Sequence, residues 1–122
     1  MAEGLAKKYL KNYTIFSAGT NPEKLNTNAI ITMKDINIDI SKNISKKVEI
    51  EQLSKYNYVI TLCGDAMDQC INLSELNNTH IHWNIYDPAK FDGTSACASE
   101  YTNVRNMIYE KIKSFKVELD NL

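Results

Sequence analysis

The chain lacks several features that would assign it to a specialised class of protein. Its 14 basic and 15 acidic residues leave a net charge of -1, and no run of basic residues is longer than two. No overall electrostatic field therefore attracts nucleic acid or anionic lipid. No apolar stretch approaches the roughly 20 residues of a membrane span, and the first twelve residues contain three lysines and no apolar segment. We expect no signal peptide and neither nucleic acid nor a membrane as a partner.

Cysteine is also scarce, and its three residues are an odd number. Without a secretory signal, a framework of structural disulfides is not expected, and the thiols should be reduced. The composition, 43% hydrophobic and 24% charged, is typical of a globular protein, and 122 residues suit one domain. We therefore expect a single domain over residues 1–122 that is cytoplasmic and monomeric.

The spacing of apolar residues predicts helices at both ends of the chain and between them. An apolar face at helical spacing begins at the first residues, and a second helix follows a cap at Asn26 or Thr27. Residues 48–53 predict one or two further helical turns. The longest helix is predicted near the C-terminus, where six apolar residues recur at helical spacing and should face a core: Tyr101, Val104, Ile108, Ile112, Phe115 and Leu119.

Three short segments predict strands that alternate with these helices. They cover residues 13–17, 58–62 and 80–83, and the second is an unbroken apolar run. This alternation predicts an α/β fold with a parallel sheet, and the apolar run suits a strand that is covered on both faces. Right-handed crossovers would bring the carboxyl ends of the strands to one edge, where α/β proteins carry out their chemistry.

Two cysteines lie at and after the end of the strongest predicted strand. Cys63 ends the apolar run, and Cys70 follows seven residues later in a polar segment. Two thiols this close are able to form a pair that is oxidised and reduced, although Cys63 alone would be an ordinary buried strand cysteine. A zinc site is an alternative, because His80 and His82 point to one face of a strand and would complete a set of four ligands. The Cys-x6-Cys spacing is wider than in structural zinc motifs.

The order of several short segments resembles the thioredoxin-coupled arsenate reductases, which share the fold of low-molecular-weight protein tyrosine phosphatases. The strand before Cys63, the second thiol Cys70, His82-Trp83 and Asp87-Pro88-Ala89 fit that family in order. The other matching segments are Met1-Ala2-Glu3-Gly4, Ser17-Ala18-Gly19 and Asp39-Ile40-Ser41. The resemblance covers nearly the whole chain, and the paired cysteines separate the reductases from the phosphatases. It implies a three-layer α/β domain with a parallel sheet.

The resemblance also implies a reaction, the reduction of arsenate to arsenite by three thiols with thioredoxin as electron donor. The first thiol lies in a Cys-x5-Arg-Ser loop, which binds the oxyanion and attacks arsenate. Cys63 matches the second thiol, which displaces arsenite, and Cys70 matches the third, which leaves a disulfide for thioredoxin. Asp87 matches the general acid that protonates the leaving oxygen. No metal and no other cofactor is implied.

The sequence departs from this family pattern at its first residue. In the family, the Cys-x5-Arg-Ser loop lies just before the Met-Ala-Glu segment, and this chain begins at that methionine. We therefore expect the first strand and the phosphate-binding loop to be missing from the sheet, and the 122 residues by themselves to be inactive. Cys97 does not replace the nucleophile, because no oxyanion loop surrounds it in the sequence.

Several alternatives stay open at this point. The missing strand would lie between those at 13–17 and 58–62, so these two strands either pair directly or leave open edges. Asp87 before Pro88 is equally an ordinary turn former. Besides arsenate reduction, the chain suits a phosphatase-like enzyme or a non-enzymatic zinc or interaction module.

Overall fold

The computed structural model describes residues 1–19, 25–44, 46–47, 49–62 and 79–122, apart from the side chain of residue 50. The elements in chain order are helix α1 (Ala2–Tyr9), helix α2 (Thr27–Lys34), the single turn α3 (Ile50–Leu53), strands β1 (Tyr58–Thr61) and β2 (Thr79–His82), a 3₁₀ helix (Pro88–Phe91) and helix α4 (Cys97–Asp120). No helix within these described ranges is long and apolar enough to cross a membrane.

Strands β1 and β2 form a parallel pair, in which Tyr58 lies opposite Thr79 and Thr61 lies opposite His82. The predicted parallel arrangement is therefore confirmed. Every residue of β1 is half-buried, so both faces of the strand are partly covered, as the apolar run predicted, although none of its residues is fully buried. Tyr58 and Ile60 of this strand pack against the core, and the Phe115 ring of α4 meets the Tyr58 ring edge-on at 5.3 Å.

Residues 13–17, all of which the structure describes, form no strand, so the strand predicted there is not observed. Among the described residues near this segment, Gly19 forms a bridge to Lys47, and its N–H donates to the Lys46 carbonyl at 2.8 Å. Phe16 is 60% exposed. A β-forming composition yields a strand only where a partner pairs with it, and no described residue pairs with 14–18. Direct pairing of this segment with β1 is likewise absent from the described ranges.

The hydrophobic core is built around α4. All six apolar positions predicted from the helical spacing are buried, which confirms that prediction. Helices α1 and α2 both pack against α4, and they contribute Leu5 and Met33, whose side chains are fully buried.

Asparagines lie on both sides of helix α2 and suit their positions. Of the two predicted caps, Asn26 and Thr27, the structure has Asn26, whose Oδ1 accepts the N–H of Asn28 at 2.8 Å. Asn37 follows the helix with a φ of 62°, a left-handed conformation that asparagine tolerates. The chain then returns so that Ile40 packs against Gly4 of α1.

Candidate active site

The carboxyl ends of β1 and β2 lie side by side. Thr61 and His82 are paired as the last residues of the two strands, and the Trp83 N–H extends the pairing by donating to the Thr61 carbonyl at 2.9 Å. Trp83 and Ile85 are then buried in the core. These two anchors determine where the chain emerges at Asp87, close to the edge at which α/β proteins place their functional residues.

Asp87 begins the 3₁₀ helix. It occupies the N-cap position, and its Oδ1 accepts the N–H of Ala89 at 2.9 Å. Pro88 is buried at the first helical position, which suits its fixed φ. The Asp87 side chain is exposed to solvent. Asp87 is therefore a turn former, as its place before proline predicted, and it is also accessible to a ligand that needs a proton.

A second carboxylate, which the sequence did not single out, follows the same 3₁₀ helix. The Oδ2 atom of Asp92 accepts from Asn26 Nδ2 at 3.0 Å, and its Oδ1 accepts from Asn28 Nδ2 at 3.2 Å and from the Tyr101 hydroxyl at 2.8 Å. These hydrogen bonds, led by that from Asn26, lower the pKa of Asp92 from its usual 3.8. Asn26 and Asp92 are 66 residues apart, so no local pattern indicates this contact.

Cys97 is the first residue of α4 and is half-buried. Its thiol donates to Asp92 Oδ1 at 3.7 Å, and partial burial together with the Asp92 charge raises the pKa of this thiol. Burial and the bond to Asp92 also raise the pKa of the Tyr101 phenol. Because the thiolate is the nucleophilic form of cysteine, a protonated Cys97 is poorly suited to replace the nucleophile of the family.

The two histidines face the same side of β2, and both rings meet one hydroxyl. Thr61 Oγ1 lies 3.1 Å from His80 Nε2 and 2.7 Å from His82 Nδ1. In the part of the chain that the structure describes, no group of three or more His, Cys, Asp or Glu residues could hold a metal ion. Cys63 and Cys70 lie outside the described residues. Their roles, as relay thiols or as zinc ligands, therefore stay predictions.

Two of the segments that carry the resemblance line one cavity beside α1. Its volume is about 270 Å³, and its walls include Glu3 and Ser17. Glu3 pairs with Lys7 at 3.3 Å. Because Lys42 and Lys46 also line the cavity, its lysines outnumber its one carboxylate. Asp87 is not among the lining residues, so this cavity is separate from the 3₁₀ helix.

Comparison with known proteins gives the same family as the motifs. The low molecular weight phosphotyrosine protein phosphatase family matches residues 1–121. The arsenate reductase of Halalkalibacterium halodurans is 41% identical over 117 residues, which cover 94% of this chain and 84% of that protein. The arsenate reductase of Bacillus subtilis strain 168 is 38% identical over 120 residues, with the same shares of the two chains covered.

Solved structures agree with the sequence relatives. An arsenate reductase in the phosphate binding state matches with a TM-score of 0.74 and 28% identity, over 96% of this chain and 86% of that chain. An arsenate reductase in the reduced state matches with a TM-score of 0.73 and 26% identity, over 97% and 86% of the two chains.

A parallel sheet with packed helices, and a candidate site at its carboxyl edge, define an α/β protein of the phosphatase type. The chain belongs to the low molecular weight phosphotyrosine protein phosphatase family. Within that family it is similar to arsenate reductases. The family and the fold class predicted from the motifs are thereby confirmed.

Proposed function

We propose that this protein is an arsenate reductase, which converts arsenate to arsenite and serves arsenic detoxification. The observation that carries the proposal is the 41% identity to an arsenate reductase across 94% of the chain. The exposed carboxylate of Asp87, near the carboxyl edge of the sheet, supports it with a group suited to proton transfer. A single cytoplasmic domain, monomeric and with thioredoxin as its electron donor, belongs to the same proposal.

The proposed relay uses three thiols. A thiolate in a Cys-x5-Arg-Ser loop forms an As–S bond, and Asp87 supplies a proton to the arsenate oxygen that leaves as water. The Cys63 thiolate then attacks the bound sulfur, the electron pair of the As–S bond stays on arsenic, and arsenite leaves. Cys70 attacks Cys63 and frees the first thiol, and the thioredoxin dithiol reduces the Cys63–Cys70 disulfide. Arsenic thus gains the two electrons that thioredoxin gives up.

The 122 residues contain Cys63, Cys70 and Asp87, and they contain no Cys-x5-Arg-Ser segment. The proposal for these residues alone is accordingly narrower. They form and exchange the Cys63–Cys70 disulfide, whereas the attack on arsenate needs the loop.

The thiol assignment is tested by mild oxidation of the 122-residue chain, followed by mapping of its disulfides in peptides. We expect a Cys63–Cys70 bond that thioredoxin, with its reductase and NADPH, reduces. Cys97→Ser is the matched control and should give the same bond, whereas Cys70→Ser should lose it. A dominant bond between Cys97 and either of the other cysteines would contradict the relay.

A phosphatase is the second candidate, because the matching family is described as a phosphotyrosine protein phosphatase. Hydrolysis of a phosphate ester requires no redox pair, so a Cys63–Cys70 disulfide that thioredoxin reduces would favour the reductase. Metal analysis of the purified protein distinguishes both enzymes from the zinc module.

A further inference from the structure

Asp92 connects three elements of the fold. It directly follows the 3₁₀ helix. Its partners at the N-terminal end of α2 are Asn26 and Asn28. Its partners in the first two turns of α4 are Cys97 and Tyr101. The N-terminal end of a helix carries a partial positive charge that favours a nearby carboxylate. The negative charge of Asp92 therefore suits both its position and the donors that meet it, which are the two asparagine amides and the Tyr101 hydroxyl.

The amide of Asn26 requires an acceptor at this position. Its Oδ1 caps α2 by accepting the Asn28 N–H at 2.8 Å, and consequently its Nδ2 faces Asp92. Reversal of the amide would lose the cap. In an Asp92→Asn variant that keeps its oxygen towards Tyr101, the new NH₂ group would face the NH₂ group of Asn26. A carboxylate fits this position and an amide does not.

The 3₁₀ helix needs such external contacts because it is a single turn of four residues, and 3₁₀ hydrogen bonds have poor geometry. Ala89 joins its two ends. The Ala89 N–H donates to Asp87 Oδ1 at 2.9 Å, and the Ala89 carbonyl accepts the Asp92 N–H at 3.0 Å. Ala89 thereby links the backbone of Asp92 to the carboxylate of Asp87 through two hydrogen bonds.

We propose that Asp92 is the positioning residue for Asp87: by joining the end of the 3₁₀ helix to α2 and α4, it sets the direction in which the Asp87 carboxylate points. The inference rests on the proposed role of Asp87 as the general acid. Asp92 acts through Ala89 and does not touch the substrate.

The contacts of Asp92 depend on its ionised form, which accepts hydrogen bonds at both oxygens. Among the described residues, the titratable groups that face it are Tyr101 and Cys97 on α4. The described part of α2 contributes uncharged amides, and Asp87 acts on Tyr101 from the start of the 3₁₀ helix. The pKa of Asp92 is lowered in the folded protein. The contacts are therefore complete above the unfolded value of 3.8 and are lost as the pH falls through the lower folded value.

Hydrogen exchange of the Ala89 amide, followed by NMR in the 122-residue chain, tests this coupling. In Asp92→Asn at neutral pH, we expect the protection factor of Ala89 to fall on the order of tenfold. Asp35→Asn is the matched control, because Asp35 is exposed at the other end of α2, and it should leave Ala89 unchanged. Amides in the middle of α4 should keep their protection in both variants.

A second measurement concerns orientation. The carboxyl carbon shift of Asp87 should change in Asp92→Asn and in the milder Tyr101→Phe, which removes one donor and keeps the ring. In a chain extended at its N-terminus by a Cys-x5-Arg-Ser segment, Asp92→Asn should lower kcat for arsenate several-fold and leave KM unchanged.

Unchanged Ala89 protection and an unchanged Asp87 shift in Asp92→Asn would overturn the inference. An equal loss of protection throughout α4 would also overturn it, because that result reports a general loss of stability. Full arsenate turnover by Asp87→Asn in the extended chain would instead overturn the proposed acid role of Asp87. The exchange of Ala89 would still decide whether Asp92 orients Asp87.

Discussion

Gly4 lies at the closest approach between α1 and the returning chain. A Cβ atom at this position would lie 2.8 Å from Ile40 Cγ2 and 3.2 Å from Ile38 Cγ2. Ile40 is only 1% exposed, so its side chain has little room to move. We expect Gly4→Ala to destabilise the protein, because overpacking typically costs about 1–3 kcal/mol, whereas alanine regains at most about 1 kcal/mol of helix propensity. Thermal or urea unfolding measures the difference.

The control for Gly4→Ala is a double-mutant cycle with Ile40→Ala. Truncation of Ile40 removes the methyl group that the new Cβ would meet, so Gly4→Ala should cost less in that background. Equal costs in both backgrounds would show that the close approach is not the cause.

The residues of the candidate site differ in how far their sequence surroundings predicted them. Asn26 was one of two predicted helix caps, and such a cap is predictable because its partner, the Asn28 N–H, is only two residues away. Asp87 was predicted from its place before Pro88 and from the family motif. Asp92 was missed because its donors Asn26, Asn28 and Tyr101 come from other elements, and only the folded chain brings them together.

At the scale of elements, α4 is the helix on which the others pack, and two of its residues form a matched test. Ile112 is 1% exposed and Val117 is 57% exposed on the same helix. Ile112→Ala should destabilise the protein by about 2–5 kcal/mol, because it leaves a cavity in the core. Val117→Ala should change the free energy of unfolding by no more than about 0.5 kcal/mol. Urea unfolding of the two variants checks the contrast, and similar costs would contradict the central place of α4.

The contrast between α4 and residues 13–17 shows which elements a sequence can predict. The bonds of a helix are local, so the spacing of its apolar residues predicted all six buried positions of α4. The bonds of a strand depend on a distant partner, and the composition of residues 13–17 carries no information on whether one is present. β1 was predicted correctly because β2 pairs with it.

Hydrogen exchange should reflect this difference between the elements. We expect little protection in residues 14–18, which have no described strand partner, and partial protection in β1, which is paired with β2 along one edge. The buried middle of α4 is the internal reference and should exchange slowest. Protection of 14–18 equal to that of α4 would show that this segment has a partner in solution.

At the scale of the whole molecule, arsenate reduction requires an arginine that binds the oxyanion and a thiolate that attacks it. The described arginine and cysteine of the 122 residues are both engaged in other contacts. The one arginine, Arg105, donates to the Thr32 carbonyl at 2.9 Å, which engages it at the end of α2. The described cysteine, Cys97, has a raised pKa and donates to Asp92. The described residues therefore include the exposed carboxylate of Asp87, which is the proposed acid. They do not include both a free arginine to bind an oxyanion and a thiolate to attack it.

Arg105 and Cys97 are both held by other hydrogen bonds, so neither is available to act on arsenate. The 122-residue chain should produce no arsenite from arsenate with thioredoxin, thioredoxin reductase and NADPH, because stabilisation of the oxyanion is usually the largest catalytic contribution. The same chain extended by a Cys-x5-Arg-Ser segment should turn over arsenate, and the arsenate reductase of Bacillus subtilis serves as the positive control. Arsenite production is measured directly. Turnover by the unextended chain that Cys97→Ser abolishes would contradict the prediction and would identify Cys97 as a nucleophile in spite of its raised pKa.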